Sequence, residues 1–96
     1  MLKIFAVRDV KADAYGALIF CPTVGLAERS FGDACMELQS PMNRFSGDYS
    51  LYELGTYDPA TGSLTGHKHP AYVISAAEII QQRNAPVVVA PVEVKA

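Results

Sequence analysis

Apolar and polar residues alternate through the first segment in a way that leaves neither face of an extended chain fully wet. In "LKIFAVRDV", residues 2–10, Leu2, Ile4, Ala6, Arg8 and Val10 fall on one face and Lys3, Phe5, Val7 and Asp9 on the other. Both faces are apolar in the middle, which predicts an interior strand. Arg8 and Asp9 then point to opposite faces and cannot pair with each other. At a strand end, Asp9 is placed to accept backbone hydrogen bonds from the following turn. Arg8 is left for a phosphate or for an acid such as Glu53. "KADAYGA", with Asp13 and Gly16, reads as a connection, and "LIFC", residues 18–21, as a second strand that Pro22 stops.

The period then changes. Thr23 is a suitable N-cap for a helix from about Val24 to Leu38, in which Ala27, Phe31, Ala34 and Leu38 form an apolar stripe flanked by Val24 and Cys35. Glu28, Arg29, Asp33 and Glu37 form its wet side. Gly25 and Gly32 weaken such a helix by up to ~1 kcal/mol each relative to Ala, and Gly32 is suited to the close approach of another element. "QSPMNRFSGD" reads as a loop and "YSLYELGTY", residues 49–57, as a third strand. Asp58-Pro59-Ala60-Thr61-Gly62 suits a tight hairpin loop, "SLTG" a short returning strand and "AYVI" a fifth. Ser75 and Glu78 have capping-box spacing, which predicts a short last helix to about Arg83. "NAPVVVAPVEVKA", residues 84–96, is Val-rich, and Pro86 and Pro91 exclude a regular helix; it reads as an extended tail able to dock as an edge strand on a neighbour. The expected architecture is α+β: a small, largely antiparallel sheet of about four to five strands, the main helix on one face, and a short C-terminal helix. Residues 1–83 form the single domain and residues 84–96 the tail.

Composition narrows the classes. A 96-residue chain suits one domain, and with 50% hydrophobic residues it is not of disordered composition. No apolar run approaches the ~20 residues of a membrane helix, and "MLKIFAV" lacks the pattern of a signal peptide. The expected location is the cytoplasm, with no membrane partner. A net charge of −2 argues against strong non-specific nucleic-acid binding, although basic residues can still cluster on one face. Cys21 and Cys35 are too few for a disulfide framework and read as small buried hydrophobes.

Candidate chemistry is sparse. His67-Lys68-His69 offers two imidazoles, but a zinc site usually needs a third or fourth ligand and neither cysteine stands at ligand spacing. Ser30, Ser63 and Ser75 sit in no nucleophile-elbow context, and no Gly-rich phosphate loop follows a strand. Neither catalysis, a cofactor nor a metal is expected. The remaining constellation is basic and aromatic. Lys3, Arg8, Lys11, Arg29 and Arg44 lie in the first half, with Tyr15, Phe45, Tyr49, Tyr52 and Tyr57 near turns or on the third strand. Aromatic rings beside Arg or Lys can stack the bases and neutralise the phosphates of single-stranded nucleic acid. The plainer alternative is half-buried sheet tyrosines with wet hydroxyls.

Three segments in order, "IFAVRDVKADAYG", "GLAERSFGDAC" and "YSLYELGTYDPATGSL", resemble the small non-structural protein, the fifth open reading frame product, of gokushovirus-type microviruses. The resemblance is carried by Arg8, Asp9, Lys11, Ala12 and Tyr15; by Ala27, Arg29, Phe31 and Asp33; and by Leu51, Tyr52, Leu54, Gly55, Asp58, Thr61 and Gly62. It spans about residues 3–65. The chain departs from the family pattern at Ala17-Leu18 and at "RFSGDY".

The resemblance implies a non-structural bacteriophage protein that binds DNA, serves viral single-stranded DNA synthesis or the switch from replication to packaging, and is absent from the virion. On that basis Arg8, Lys11, Arg29 and Arg44 are expected to contact phosphates, and Tyr15 and Tyr52 to offer stacking faces. Neutralising about four phosphates would give a log–log salt slope near −3. A homodimer is expected from the small size, the apolar composition and the tail. The alternative is a protein-interaction module for the replication initiator, the procapsid or a host factor.

Overall fold

Hydrophobic alternation in β1, Leu2–Asp9, places Phe5 and Val7 on one side and Ile4 and Ala6 on the other, and this strand is the centre of the sheet. A computed structural model describes residues 1–84. β2 (Ala14–Tyr15) and β3 (Ile19–Cys21) pair with opposite ends of one edge of β1, and β4 (Tyr49–Asp58) pairs with its other edge. β5 (Ser63–Ser75) closes the order β2-β1-β4-β5, and every pairing is antiparallel. The α+β class and the sheet size are those expected.

The helices among the described residues cover one side. α1 (Val24–Met36) and α3 (Ala76–Asn84) bring Ala27, Phe31, Cys35, Ala76 and Ile79 onto Phe5, Leu51 and Ile74. Phe5 and Leu51 are completely buried there, each worth about 1.5–3 kcal/mol of apolar burial. Thr23 caps α1 by accepting the Leu26 N–H at 3.2 Å. Ser75 and Glu78 form the reciprocal capping box of α3: the Glu78 N–H donates to Ser75 Oγ at 3.0 Å, and the Ser75 N–H to Glu78 Oε1 at 3.1 Å. Gly32 does permit a close approach. The Arg83 guanidinium lies where a Cβ would stand, donating to Asp33 at 2.7 Å and to the Arg29 carbonyl at 3.1 Å.

Several boundaries differ from expectation. α1 ends at Met36 because Glu37 is already extended (φ −72°, ψ 120°), so Leu38 leaves the stripe and is 77% exposed. The connection after β1 contains β2. The loop of residues 39–48 contains α2 (Pro41–Arg44), started by Ser40 as N-cap and Pro41 in its first turn, and a 3-10 turn at Ser46–Asp48. "SLTG" and "AYVI" belong to one strand. Between the pairs Gly55–Gly66 and Glu53–Ala71, β4 advances two residues and β5 five, so His67, Lys68, His69 and Pro70 form an irregular bulge within β5. Pro70 is tolerated because a bulge takes its missing N–H out of the ladder. The hairpin turn is as expected, with Gly62 at φ +75° and its N–H on the Asp58 carbonyl at 2.7 Å. Asn84, assigned to the tail, instead closes α3; the rest of the tail lies outside the described residues.

Candidate nucleic-acid interface

With the helices on the Phe5 side, the opposite side of the sheet carries no helix among the described residues. The register decides which residues meet there. Arg8 stands opposite Tyr15 on β2 and Ser50 on β4; Ala6 stands opposite Tyr52, and Tyr52 opposite Tyr72 on β5. The rings form a row across the strands. Tyr15 and Tyr52 have centroids 5.6 Å apart, Tyr52 and Tyr72 5.7 Å, both edge to face. Tyr52 stands beside Ala6, which is fully buried although no helix among the described residues covers it. Tyr72 is 54% exposed and Tyr15 38%. Further along the same side, Phe20 and Tyr57 make a second edge-to-face pair at 5.6 Å.

Arg8 supplies the cation of this row. Its Cζ lies 5.3 Å from the Tyr15 centroid, and its Nη2 donates to Asp13 Oδ1 at 2.7 Å. That hydrogen bond is the main reason its pKa rises above the ordinary arginine value, so the guanidinium is charged at any working pH. The partner is therefore Asp13 and not Glu53, which sits on the helix-bearing side. Glu53 there faces Lys3 Nζ at 3.7 Å and His67 Nε2 at 2.7 Å. Asp9 acts as its strand-end position implies: Oδ1 accepts the N–H groups of Lys11 at 3.0 Å and Ala12 at 3.3 Å, and so sets the turn that returns Tyr15 to Arg8.

The Tyr72 hydroxyl donates to Glu78, the capping-box carboxylate of α3. This bond pushes the Tyr72 phenol up and is the largest reason the Glu78 carboxyl is held below its ordinary range. It also anchors the outer ring of the row to the start of a helix.

Of the six residues singled out in the sequence, the fold brings Arg8, Tyr15 and Tyr52 together. Lys11 lines an open cleft of about 310 Å³ with Asp9, Phe45, Asp48 and Tyr49, and Arg44 stands 5.3 Å from the neighbouring Phe45 ring. Burial, then the nearby Asp9 charge, raises the Tyr49 phenol in that cleft. Arg29 is on α1, across the sheet from the rings. The four cations thus form no single phosphate track, because the helix layer separates Arg29 from Arg8. Tyr72, Phe20 and Asp13 were not singled out. Period-two alternation through "AYVI" would have put Tyr72 on the face of the core residue Ile74; the register shift between the pairs Leu51–Ile74 and Tyr52–Tyr72 turns it to the opposite face, beside Tyr52.

The family model described as Phage ORF5 protein matches residues 2–79. The chain belongs to the Phage ORF5 protein family. No curated protein and no solved structure matches it. The match runs from β1 into α3, so the ring row, Arg8 and Asp13 all lie inside the part of this ORF5 chain that defines its family. Bacteriophage origin follows from that membership. Among the described residues, no helix of this phage ORF5 protein is long and apolar enough to cross a membrane, and no three His, Cys, Asp or Glu side chains gather as metal ligands would.

Proposed function

We propose that this phage ORF5-family chain is a non-enzymatic accessory protein that binds single-stranded DNA on the helix-free side of its sheet. The observation that carries the reading is the row Tyr15–Tyr52–Tyr72, exposed at its two outer rings and half-buried at Tyr52, with the Arg8 guanidinium at its end. Flat π-faces on a sheet accept unpaired bases of any sequence, at about 1–3 kcal/mol per stacked base. In line with the resemblance to gokushovirus-type proteins, the role proposed for such binding is in viral single-stranded DNA synthesis or in the switch to packaging, in the host cytoplasm and outside the virion. A homodimer would double the ring surface offered to one strand.

Because the cations are dispersed and the net charge is −2, the binding is driven by stacking and only weakly by phosphate charge. One or two phosphate contacts give a log–log salt slope of about −0.7 to −1.4, shallower than the −3 expected from four cations. The test is fluorescence anisotropy of a labelled single-stranded oligonucleotide at several salt concentrations, with duplex as control. Micromolar binding to the single strand with a shallow slope and little affinity for duplex supports the reading. No binding at low salt rejects it. The second reading, a docking module for a replication or procapsid protein, is favoured by the same exposed aromatic surface combined with an acidic chain, and a pull-down from infected cells would then identify the partner.

A further inference from the structure

Asp13 occupies an unusual position. It is the non-glycine residue with positive φ, +54°, among the described residues, and it sits in the loop between β1 and β2. A left-handed loop position is served by Gly, Asn or Asp, and for the backbone alone the amide or the hydrogen would do as well as the acid. What the acid adds is its charge, and that charge is placed 2.7 Å from Arg8 Nη2. The Asp13 side chain is 86% exposed, so the pair is screened by water and contributes little to folding. The contact runs through one guanidinium nitrogen and one carboxylate oxygen and is not the two-pronged arrangement of a strong Arg–carboxylate lock. A fork over an aromatic ring, held by one exposed carboxylate, is a site for an oxyanion with its resident counter-anion attached to the loop.

We infer that Asp13 is a specificity-determining residue of the ring row: it occupies Arg8 as a tethered stand-in for phosphate, and a DNA phosphate must take its place. This rests on the single-stranded DNA reading given above. Two consequences follow. Free anions and isolated acidic side chains gain little at Arg8, because they exchange one exposed carboxylate pairing for another of the same kind. A single strand gains, because the phosphate that displaces Asp13 is delivered by bases stacking on Tyr15 and Tyr52. The exchange also hides Arg8 in part from salt. The phosphate that Arg8 neutralises gives up its condensed cation, but the freed Asp13 carboxylate beside the strand attracts one back, so Arg8 adds less than one phosphate's full share to the salt slope.

Asp13→Asn is a clean perturbation, since Asn keeps the size of the side chain and accepts left-handed φ. The full chain is titrated into fluorescein-labelled dT15 at four salt concentrations, for the wild type, Asp13→Asn, Arg8→Gln and the double variant, with thermal melts of each. The expected result is binding about two- to fivefold tighter for Asp13→Asn at low salt, from the release of an exposed ion pair. Its slope should be steeper by up to about 0.7, one phosphate's full share for a single strand. Neither change should occur in the Arg8→Gln background. Wild-type binding that Asp13→Asn leaves unchanged or weakens, with an unaltered melt, overturns the inference and leaves the DNA reading standing. If neither the wild type nor Asp13→Asn binds, both fall. Binding by Asp13→Asn alone supports both.

Discussion

Tyr52 is the middle ring of the row, and replacing it with leucine separates its two possible roles. Leucine keeps an apolar side chain beside the buried Ala6 but removes two edge-to-face contacts, at 5.6 Å to Tyr15 and 5.7 Å to Tyr72. Each such pair is worth about 0.5–1.5 kcal/mol beyond area burial, so Tyr52→Leu should cost about 1–3 kcal/mol of stability. For a domain this small, that is a fall in Tm of roughly 4–8 °C per kcal/mol. Loss of the stacking face removes about 1–3 kcal/mol of binding per base, or about 5- to 150-fold in affinity for a single strand. The assays are a thermal melt by circular dichroism and anisotropy with labelled dT15, both on the full chain and well below the variant's Tm. Tyr52→Phe is the control: it retains the ring and should bind within about twofold of wild type, since stacking needs only the π-face. A melt that falls as expected while dT15 affinity stays within twofold would show that the ring only packs within the sheet face, and would refute the stacking argument.

Other outcomes follow from single contacts. Gly55→Ala should destabilise by more than the ~1 kcal/mol typical of a point change, because its Cβ would meet the Thr65 carbonyl oxygen and Gly66 Cα, which are backbone and cannot swing aside; denaturant melts check it, and an unchanged midpoint would show that the two strands can separate there without loss. Glu78, with its carboxyl held below the ordinary range, stabilises the fold fully above its unfolded value near 4.5 and loses that contribution as pH falls through the lower folded value. The Tm difference between wild type and Glu78→Gln should therefore be largest at neutral pH and close in acid; a difference that is flat from pH 7 to 3 would remove the Tyr72–Glu78 linkage. Burial raises the Cys35 thiol to about 11, whereas Cys21 is only half-buried, so a maleimide reagent at pH 7 should label Cys21 first and Cys35 only on unfolding. Equal labelling rates in the native state, read by mass spectrometry of peptides, would contradict the burial.

Local chemistry was readable along the chain wherever neighbours in sequence decide it. The faces of β1, the Asp9 turn, the Thr23 cap, the Ser75–Glu78 box and the Gly62 hairpin each depend on residues within about four positions of one another, and each is present in the fold. The α+β class followed from the same short-range periodicities. Features that join distant positions were not readable. The end of α1 turned on the backbone of Glu37, not on the apolar Leu38 that seemed to extend the stripe. Arg8, Lys11, Arg29 and Arg44 look like one basic set in sequence, yet the fold puts Arg29 across the sheet from Arg8, Lys11 in a separate cleft and Arg44 against the Phe45 ring. Tyr72 joins Tyr52 only through the register that two irregularities impose on β5, the His67–Pro70 bulge on one side of the pair and the extra residue Val73 on the other. Alternation tells which residues share a face of one strand. It does not tell how far that strand slides along its neighbour, and a surface that spans strands is made by that slide.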